Sequence, residues 1–171
     1  MEIRDLYDKD RKPTGETIFK NQEIPKGKYI LVMMVVIENS KGELLLQKRS
    51  KQKGGKYGFT GGHAKTGEDS IQGIISETRE EIGLELKPEE IELLKTERVD
   101  EYDVFHDVFY VKKDIDKSSL TLQKEEVEDV NWYNREQINE IIKNNMFFEN
   151  HIDEYYDIMK ILKEREKWEL Y

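Results

Sequence analysis

Glu77, Glu80 and Glu81 are the residues of this sequence best suited to chemistry, because their spacing is helical. Each residue of an α-helix turns the chain by about 100°, so the three carboxylates fall on one flank of a helix. Like charges at this spacing destabilise a helix by roughly 0.2–0.5 kcal/mol per pair unless a positive charge lies against them. The spacing therefore indicates a flank that binds a cation.

Glu68 adds a fourth carboxylate near this flank. It precedes the three helical glutamates, in a turn that Gly62 and Gly67 mark. Carboxylate oxygens are the ligands that Mg²⁺ and Mn²⁺ prefer, and these ions complete their coordination with water and phosphate oxygens. In a chain with 38% charged residues, the alternative is a solvated glutamate face. The glycines and the position of Glu68 favour the metal site.

The segment that carries the glutamates has the start, the end and the apolar face of a core-packed helix. Asp69 or Ser70 supplies an N-cap, and Gly83 supplies the terminating residue. The spacing of the apolar residues predicts a face packed on a core, with the acidic flank turned away from it. The predicted apolar face consists of Ile71, Ile74, Ile75, Thr78 and Ile82.

Residues 62–84 resemble the Nudix box, the signature of a family of hydrolases. The family pattern is a glycine, five residues, a glutamate, seven residues, and then Arg-Glu-apolar-x-Glu-Glu-x-Gly-apolar. Two positions depart from it, since Ser76 stands where the family has arginine and Thr78 where it usually has an aliphatic residue. The resemblance extends from about residue 2 to about residue 145. The matching positions are Gly62, Glu68, Glu77, Glu80, Glu81, Gly83 and Leu84.

Ser76 is the departure that matters more. The family arginine is expected to pair with the neighbouring carboxylates and to hold them in place. Arg79 lies on the opposite flank of the predicted helix, where it is a poor replacement. The departure concerns the rate and the geometry of the ligands more than the metal site itself.

The resemblance implies an α/β domain with the Nudix fold, in which a mixed β-sheet is sandwiched between α-helices. We expect a single Nudix domain over residues 1–171, with an N-terminal β-hairpin and a C-terminal helical extension over about 134–168. The order of the predicted elements alone would support only a mixed α and β domain.

The resemblance also implies a reaction, the attack of water on one phosphorus of a diphosphate linked to another group. Glu80 and Glu81 are then the primary ligands of Mg²⁺ or Mn²⁺, and Glu77 is a ligand or the general base. Glu68 and the carbonyl group of Gly62 are secondary candidates for metal binding.

A further glutamate follows from the same resemblance. Several branches of the family use a glutamate on a later loop, before a tryptophan in the last strand, as a metal ligand or a base. Glu126 holds that position relative to Trp132 and is a candidate catalytic residue. The alternative is an acidic loop in an acidic protein.

Five basic residues lie between residues 48 and 56, just before the approach to the box. Lys48 and Arg49 end a predicted strand and are candidate phosphate-binding residues. Lys51 and Lys53 fit a solvated basic loop equally well. His63 directly follows the paired glycines and is a third candidate, although a lone histidine near a turn is equally often structural. The expected substrate is a small-molecule diphosphate, namely a nucleoside diphosphate or a derivative of one.

The amino-acid composition indicates which kinds of partner the protein binds and in which compartment it acts. The net charge of −9 disfavours broad attraction to nucleic acid polymers or to anionic membranes. The absence of cysteine excludes disulfides, thiolate metal sites and cysteine nucleophiles, and it fits a reducing cytoplasm. The longest apolar run, residues 29–37, is about half of a membrane span and indicates a buried strand. We therefore expect a cytoplasmic protein that acts on small molecules.

Turn signals between apolar runs predict the strands. Residues 2–6 and 16–20 predict a hairpin around the turn-rich segment between them. Residues 29–37 and 43–49 predict a second hairpin, closed by the turn Asn39-Ser40-Lys41-Gly42. Later strands are predicted at residues 91–99, 104–111 and 127–133.

The C-terminal part is predicted to be helical. Asn134 is placed to cap a helix that runs through Ile142, and a second, longer helix follows. The longer helix is expected to cover a sheet face or a partner subunit, which leaves a homodimer open. Its narrow apolar stripe consists of Phe148, Ile152, Tyr155, Met159 and Leu162.

A closer resemblance is to the branch of the family that is similar to isopentenyl diphosphate isomerase. It is carried by the N-terminal run D-L-Y-D-K-D-R-K-P-T-G, by the later Q-K-R-S and by His63. The isomerases use a cysteine two residues before that histidine, where this chain has Gly61. Isomerase activity is therefore a less favoured alternative. A second alternative, motivated by Ser76, is a nucleotide-binding regulator that has kept the fold and lost catalysis.

Overall fold

The computed structural model describes residues 1–169, which form nine β-strands and three α-helices. Residues 170 and 171, the end of the predicted domain, lie outside the described residues. The strands are β1 (Ile3–Tyr7), β2 (Pro13–Phe19), β3 (Ile30–Glu38), β4 (Leu44–Arg49), β5 (Tyr57–Gly58), β6 (Thr60–His63), β7 (Glu92–Val99), β8 (Val104–Lys112) and β9 (Val127–Tyr133). The helices are α1 (Ser70–Ile82), α2 (Arg135–Lys143) and α3 (Ile152–Glu169).

A mixed sheet of seven strands forms the centre of the described chain. Its main path runs β5-β4-β3-β8-β7, with β6 paired to β3 and β9 paired to β4. β3 and β8 are parallel along their whole length, from Ile30 beside Val104 to Glu38 beside Lys112. The other strand pairs of this sheet are antiparallel.

Helices cover both faces of this sheet. Side chains alternate along β3, so Met33 and Val35 join the core with α1, whereas Met34 and Val36 join the core on the opposite face. The sheet is therefore sandwiched between helices, which confirms the predicted fold class. The second face is covered by Ile138 of α2 and by Tyr155, Ile158 and Leu162 of α3.

The helix α1 has the bounds and the caps that the sequence predicts. The side chain of Asp69 accepts a hydrogen bond of 2.8 Å from the backbone N–H of Gln72, and the side chain of Gln72 accepts one of 2.9 Å from the backbone N–H of Asp69. Gly83 ends the helix in the left-handed conformation. Both ends of the helix that carries the three glutamates are thus fixed locally.

One residue of the predicted apolar face of α1 is not in the core. Ile71 is 38% exposed, and the first turn is buried through Ser70 and Gly73 instead. Helical period fixes the direction of a side chain around the axis, but not the point along the axis at which the covering sheet ends. The other members of the predicted face are buried or half-buried, namely Ile74, Ile75, Thr78 and Ile82.

The predicted hairpin of β3 and β4 is correct only at its turn. The two strands share the pair Glu38 and Leu44, and β3 then pairs with β6 while β4 pairs with β9 and β5. A turn motif fixes the reversal of the chain, but the pairing beyond it depends on which other strands enter the sheet. The insertion of β6 brings Gly61 and Gly62 beside Met34 and Met33, under α1.

The N-terminal hairpin forms as predicted, with β2 longer than expected. β2 begins at Pro13, because Pro13 pairs with Tyr7. The hairpin is tied to the loop before α1, since the backbone N–H of Thr66 donates to the carbonyl of Ile3 at 2.8 Å. Asp5 accepts two more hydrogen bonds from that loop, from the hydroxyl of Thr66 at 2.5 Å and from the N–H of Gly67 at 2.9 Å.

The chain that follows α2 extends the sheet beside β5. The backbone N–H of Tyr57 donates to the carbonyl of Met146 at 2.8 Å, and that of Phe148 donates to the carbonyl of Tyr57 at 2.7 Å. The Nδ1 atom of His151 accepts a hydrogen bond of 3.1 Å from the backbone N–H of Phe59. These contacts fasten the segment between α2 and α3 to the strands that lead into the box.

The apolar face of α3 differs from the predicted stripe in two residues. Phe148 precedes the helix, and Ile158, which the stripe omits, is fully buried. A stripe chosen for one narrow line misses residues of the wider arc that a sheet covers. Tyr155 and Leu162 are buried as predicted. None of the helices within residues 1–169 is long and apolar enough to cross a membrane.

We predict that His151 makes the fold sensitive to acid. The pKa of His151 is lowered to about 3, mainly by burial and also by the charges of His106 and Arg49. The unfolded chain takes up this proton near the ordinary pKa of 6.5. The stabilisation is therefore complete above that pH, and falls by up to about 1.4 kcal/mol per pH unit as the pH drops towards the folded pKa.

The measurement is the free energy of unfolding in urea, from about pH 8 to about pH 5, for the wild type and for His151→Asn. Asparagine keeps an acceptor for the N–H of Phe59 but does not titrate, so the variant should lose less stability in acid than the wild type. His63 is common to both proteins and cancels from the comparison. Equal slopes against pH in the two proteins would refute the prediction.

Candidate functional site

Glu77 lies directly against the backbone of β6. A Cβ atom at Gly62 would come within 2.5 Å of the carboxyl carbon of Glu77, so the contact exists only because position 62 has no side chain. Burial raises the pKa of Glu77 to about 8, and the charge of Glu81 adds to the rise. Without a neighbouring cation, this carboxyl group favours its protonated form.

Glu81 lies deeper in the molecule and is held by a chain of side chains. The Nε2 atom of Gln47, in β4, donates to Glu81 at 3.1 Å, and the Oε1 atom of Gln47 accepts from the hydroxyl of Thr60 at 2.9 Å. Burial raises the pKa of Glu81 to about 7. The hydrogen bond from Gln47 opposes this rise, whereas the charge of Glu126 adds to it. The chain of contacts links α1 to both β4 and β6.

Glu80 lies at the surface end of the flank and pairs with Lys65. The Nζ atom of Lys65 is 2.5 Å from the Oε1 atom of Glu80. Burial works against the charged form of Lys65, but its hydrogen bond with Glu80 and the charges of Glu80, Glu77 and Glu68 leave its pKa raised. Lys65 was missed by the sequence reasoning, although a lysine inside the box turn is a visible signal for a counter-charge.

Glu68 turns both carboxylate oxygens towards the protein. Its Oε1 atom accepts a hydrogen bond of 2.9 Å from the backbone N–H of Lys65, and its Oε2 atom accepts one from the hydroxyl of Ser76. Ser76 thus contacts a box carboxylate at the position where the family has arginine. Arg79 pairs with Glu85 on the far side of the helix, away from this cluster.

Glu126 reaches the site through the pairing of β4 with β9. The backbone N–H of Ser50 donates to the carbonyl of Glu126 at 2.9 Å, which holds the end of β4 beside the loop before β9. The Nζ atom of Lys53 lies 3.4 Å from the Oε1 atom of Glu126. Because the charge of Glu126 affects the pKa of Glu81, the two carboxylates belong to one cluster.

The structure places Lys48 and Arg49 at the edge of this cluster. Lys48 lies 3.5 Å from the carboxylate of Glu128. The guanidinium of Arg49 lies over the ring of Phe148, 4.4 Å from its centroid, and its charge lowers the pKa of Glu81. Arg49 is therefore close to the carboxylates and to the segment that precedes α3.

His63 ends β6 and lies on the sheet face opposite α1, across from Val32 of β3. The pKa of His63 is lowered to about 4, mainly by burial and also by the charge of Arg4. The imidazole is therefore neutral near pH 7. Arg4, from the N-terminal hairpin, was not recognised in the sequence, because only the fold brings it to His63.

The donors fit a hard divalent cation in their chemistry. Carboxylate oxygens predominate, and the close contact at Gly62 leaves Glu77 buried without an adequate counter-charge. Within residues 1–169, no three histidine, aspartate or glutamate side chains already converge on one metal position. The carboxylates of Glu80 and Glu126 contact Lys65 and Lys53 through their Oε1 atoms, which leaves the second oxygen of each carboxylate for a metal.

Comparisons with known proteins support the family that the Nudix box indicates. The NUDIX domain model matches residues 28–155. An uncharacterized Nudix hydrolase of Listeria monocytogenes is 37% identical over 145 residues, which cover 81% of this chain and 83% of that protein.

Solved structures show the same fold at lower identity. The crystal structure of DR0079 from Deinococcus radiodurans is similar with a TM-score of 0.71 and 19% identity, over 90% of this chain and 96% of that one. The NUDIX domain of NrtR from Shewanella oneidensis, crystallised with ADP ribose, is similar with a TM-score of 0.58 and 18% identity, over 80% of this chain and 88% of that one. Together with the family match and the Listeria relative, the box and its buried glutamates lead to one conclusion: the chain belongs to the Nudix hydrolase family and is a pyrophosphohydrolase.

Proposed function

We propose that this protein is a Mg²⁺- or Mn²⁺-dependent hydrolase that cleaves the diphosphate linkage of a nucleoside diphosphate or of a nucleoside diphosphate derivative. Nudix hydrolases generally act on such derivatives and use divalent metal ions. The observation that carries the proposal is the half-buried pair Glu77 and Glu81: Glu77 lies against the backbone of Gly62, Glu81 accepts a hydrogen bond from Gln47, and neither forms an ion pair within residues 1–169. Burial raises the pKa of both carboxyl groups. A cation bound to them would balance their charge.

The roles follow from position and partners. Glu80 and Glu81 are the proposed metal ligands, and Glu77 is a ligand or the general base that takes a proton from water. The carbonyl group of Gly62 and the carboxylate of Glu126 are further ligand candidates. The metal, when bound, supplies positive charge for the diphosphate oxygens and prepares water for attack.

Glu68 is better suited to positioning than to ligation. Both of its oxygens already accept hydrogen bonds, from Lys65 and from Ser76. Its carboxylate therefore joins the turn before α1 to the helix. Through Lys65, which also contacts Glu80, the same turn is joined to a proposed metal ligand.

Lys48 and Arg49 are the proposed phosphate contacts at the end of β4. Arg49 is held against the ring of Phe148 and near Glu81, so its guanidinium is positioned between an aromatic wall and the carboxylate cluster. An arginine in this position would bind a phosphate group of the substrate next to the carboxylates that would hold the metal. His63 is the third proposed substrate contact.

The branch similar to isopentenyl diphosphate isomerase remains a proposal on sequence grounds, and isomerase activity is disfavoured by the backbone as well as by composition. Gly61 stands where the isomerases use cysteine, and a Cβ atom at this position would clash with the carbonyl oxygen of Met33. β6 thus lies too close to β3 for a side chain there. The expected result with isopentenyl diphosphate is no allylic product.

The second candidate is a nucleotide-binding regulator with weak catalysis, motivated by Ser76. The contact of Ser76 with Glu68 and of Lys65 with Glu80 favours catalysis, since both carboxylates have partners without the family arginine. Calorimetry that finds metal-dependent nucleotide binding, with no product after long incubation, would instead support the regulator.

We further propose that residues 1–171 form one domain and that the protein acts in the cytoplasm on small molecules. The absence of cysteine supports the second point, since no disulfide is needed to maintain the fold. A homodimer is a separate proposal, which sedimentation equilibrium would test.

The double substitution Glu80→Gln/Glu81→Gln should abolish the activity. Amides keep the shape of the side chains but lose the negative charge that the metal requires, so kcat/KM should fall by at least about 100-fold. The assay is release of phosphate or nucleotide with Mg²⁺, across a panel of nucleoside diphosphates and derivatives that includes ADP-ribose. Glu85→Gln, which pairs with Arg79 outside the cluster, is the matched control and should keep full activity. Equal turnover by the double variant and the wild type would exclude the proposed role of the glutamates.

Lys65 should replace the missing arginine as the positive charge of the box. Lys65→Met is expected to lower kcat/KM by roughly tenfold, because Glu80 then loses the contact that orients it. Adding Ser76→Arg to Lys65→Met should recover most of the loss, since it returns a cation to the box helix. The same assay measures both variants, and thermal unfolding checks that each is folded. If Lys65→Met alone keeps full activity, the lysine has no positioning role.

A further inference from the structure

Arg4 is a buried arginine on the inner side of the N-terminal hairpin. Its side chain is 8% exposed. Leu6, two residues further along β1 and on the same face, packs on Ile30 of the central strand β3. Alternate residues of a strand share a face, so Arg4 lies on the same side of β1 as Leu6. Its side chain is therefore directed towards Val32, the next residue of β3 on the face that carries Ile30.

The guanidinium of Arg4 is only partly used by the protein. Its Nε atom donates to Glu2 at 2.9 Å, and no other side-chain or backbone acceptor within residues 1–169 takes a hydrogen bond from it. Arginine has five N–H donors, so the two Nη atoms keep theirs. The hydroxyl of Ser70 is the one fully buried side-chain polar atom of the described residues that lacks a partner. The Nη atoms of Arg4 must then reach solvent through an opening.

This opening lies in the sheet face opposite α1. Val32 is half-buried, unlike its neighbours in β3, and it is flanked in register by His63 of β6 and His106 of β8. The charge of Arg4 lowers the pKa of His63, which is further evidence that the two side chains are close. The edge of Arg4 with free donors thus lies beside the imidazole of His63.

The opening lies across β6 from the glutamates of α1, and β6 pairs only with β3 among the described strands. His63 directly follows Gly62, whose backbone contacts the carboxyl group of Glu77. The charge of Glu2, the partner of Arg4, raises the pKa of His63 and also that of Glu77. Consecutive residues of a strand point to opposite faces, so a ligand at the free edge of β6 can contact His63 on one face and approach Glu77 on the other.

We infer that Arg4, together with His63, forms an anion-binding subsite at the free edge of β6, which holds a phosphate group of the substrate across this strand from the glutamates of α1. Two Nη atoms on one edge match two oxygens of a phosphate. His63 adds a ring N–H donor. Glu2 holds the Nε atom and turns the other edge of the guanidinium outward. The identity of the ligand rests on the proposed function.

The opposing explanation is that Arg4 serves only to neutralise Glu2. The two explanations differ in what removal of Glu2 does. If Arg4 binds an anion, Glu2→Gln removes a competing negative charge and should tighten phosphate binding by about threefold. If Arg4 is only a partner for Glu2, the same change lowers stability and leaves phosphate binding alone.

The experiment measures binding of inorganic pyrophosphate to the whole protein without metal, by ³¹P NMR titration. Arg4→Gln should raise the Kd at least about tenfold, and Arg4→Lys should lie between it and the wild type, because lysine keeps the charge but not the paired donors. Arg98→Gln is the matched control, since Arg98 pairs through Nε with Asp100, two residues away, but at the exposed end of β7. It should bind as the wild type does.

The possible results test the Arg4 subsite independently of the proposed function. An unchanged Kd in Arg4→Gln, or no binding by the wild type, overturns the subsite, and so does a weaker affinity in Glu2→Gln. If Arg4→Gln does not fold, the direction of the change in Glu2→Gln decides. Since the titration involves no turnover, loss of pyrophosphate binding in Arg4→Gln supports the subsite even if the wild type hydrolyses no nucleotide of the panel.

Discussion

The contact between the carboxylate of Glu77 and the backbone of Gly62 is the constraint on which the rest of the site depends. α1 approaches β6 closely enough only because position 62 lacks a side chain. The contact buries one carboxylate, and the helical period then fixes Glu80 and Glu81 along the same flank. Asp69 and Gly83 cap the two ends of α1. The helix therefore holds the three glutamates at fixed positions relative to one another.

In an acidic protein, the electrostatic repulsion among these carboxylates must also be compensated if α1 is to stay packed on the sheet. The protein compensates it with lysines of the neighbouring loops, Lys65 on Glu80 and Lys53 on Glu126. Both pairs are partly exposed, and such pairs typically contribute under about 1 kcal/mol. A divalent cation can therefore bind the second oxygen of each carboxylate while the lysines keep the first, and the half-buried Glu77 and Glu81 stay in place.

The sequence predicted local structure well and long-range placement poorly. Asp69, Gly83 and the apolar period determine α1 within a few residues of the chain, so both its bounds and its acidic flank were predictable. The insertion of β6 between β3 and β4 was not, because no local pattern states which strands share a sheet. The same limit explains why Lys65 and Arg4 were missed. Lys65 and Arg4 are relevant because of their partners, Glu80 and His63, and only the fold brings each pair together.

The N-terminal hairpin and the segment before α3 flank the site, and each is joined to the residues of the Nudix box, or to the strand that leads into them, by few hydrogen bonds. Asp5 and Ile3 of the hairpin bind the turn at Thr66 and Gly67, and His151 binds the N–H of Phe59. Changes in the hairpin or in the segment before α3 can therefore move substrate-facing side chains without altering the contact of Glu77 with Gly62. The proposed metal ligands and the proposed substrate contacts are therefore held by different sets of contacts, so the first can stay fixed while the second varies.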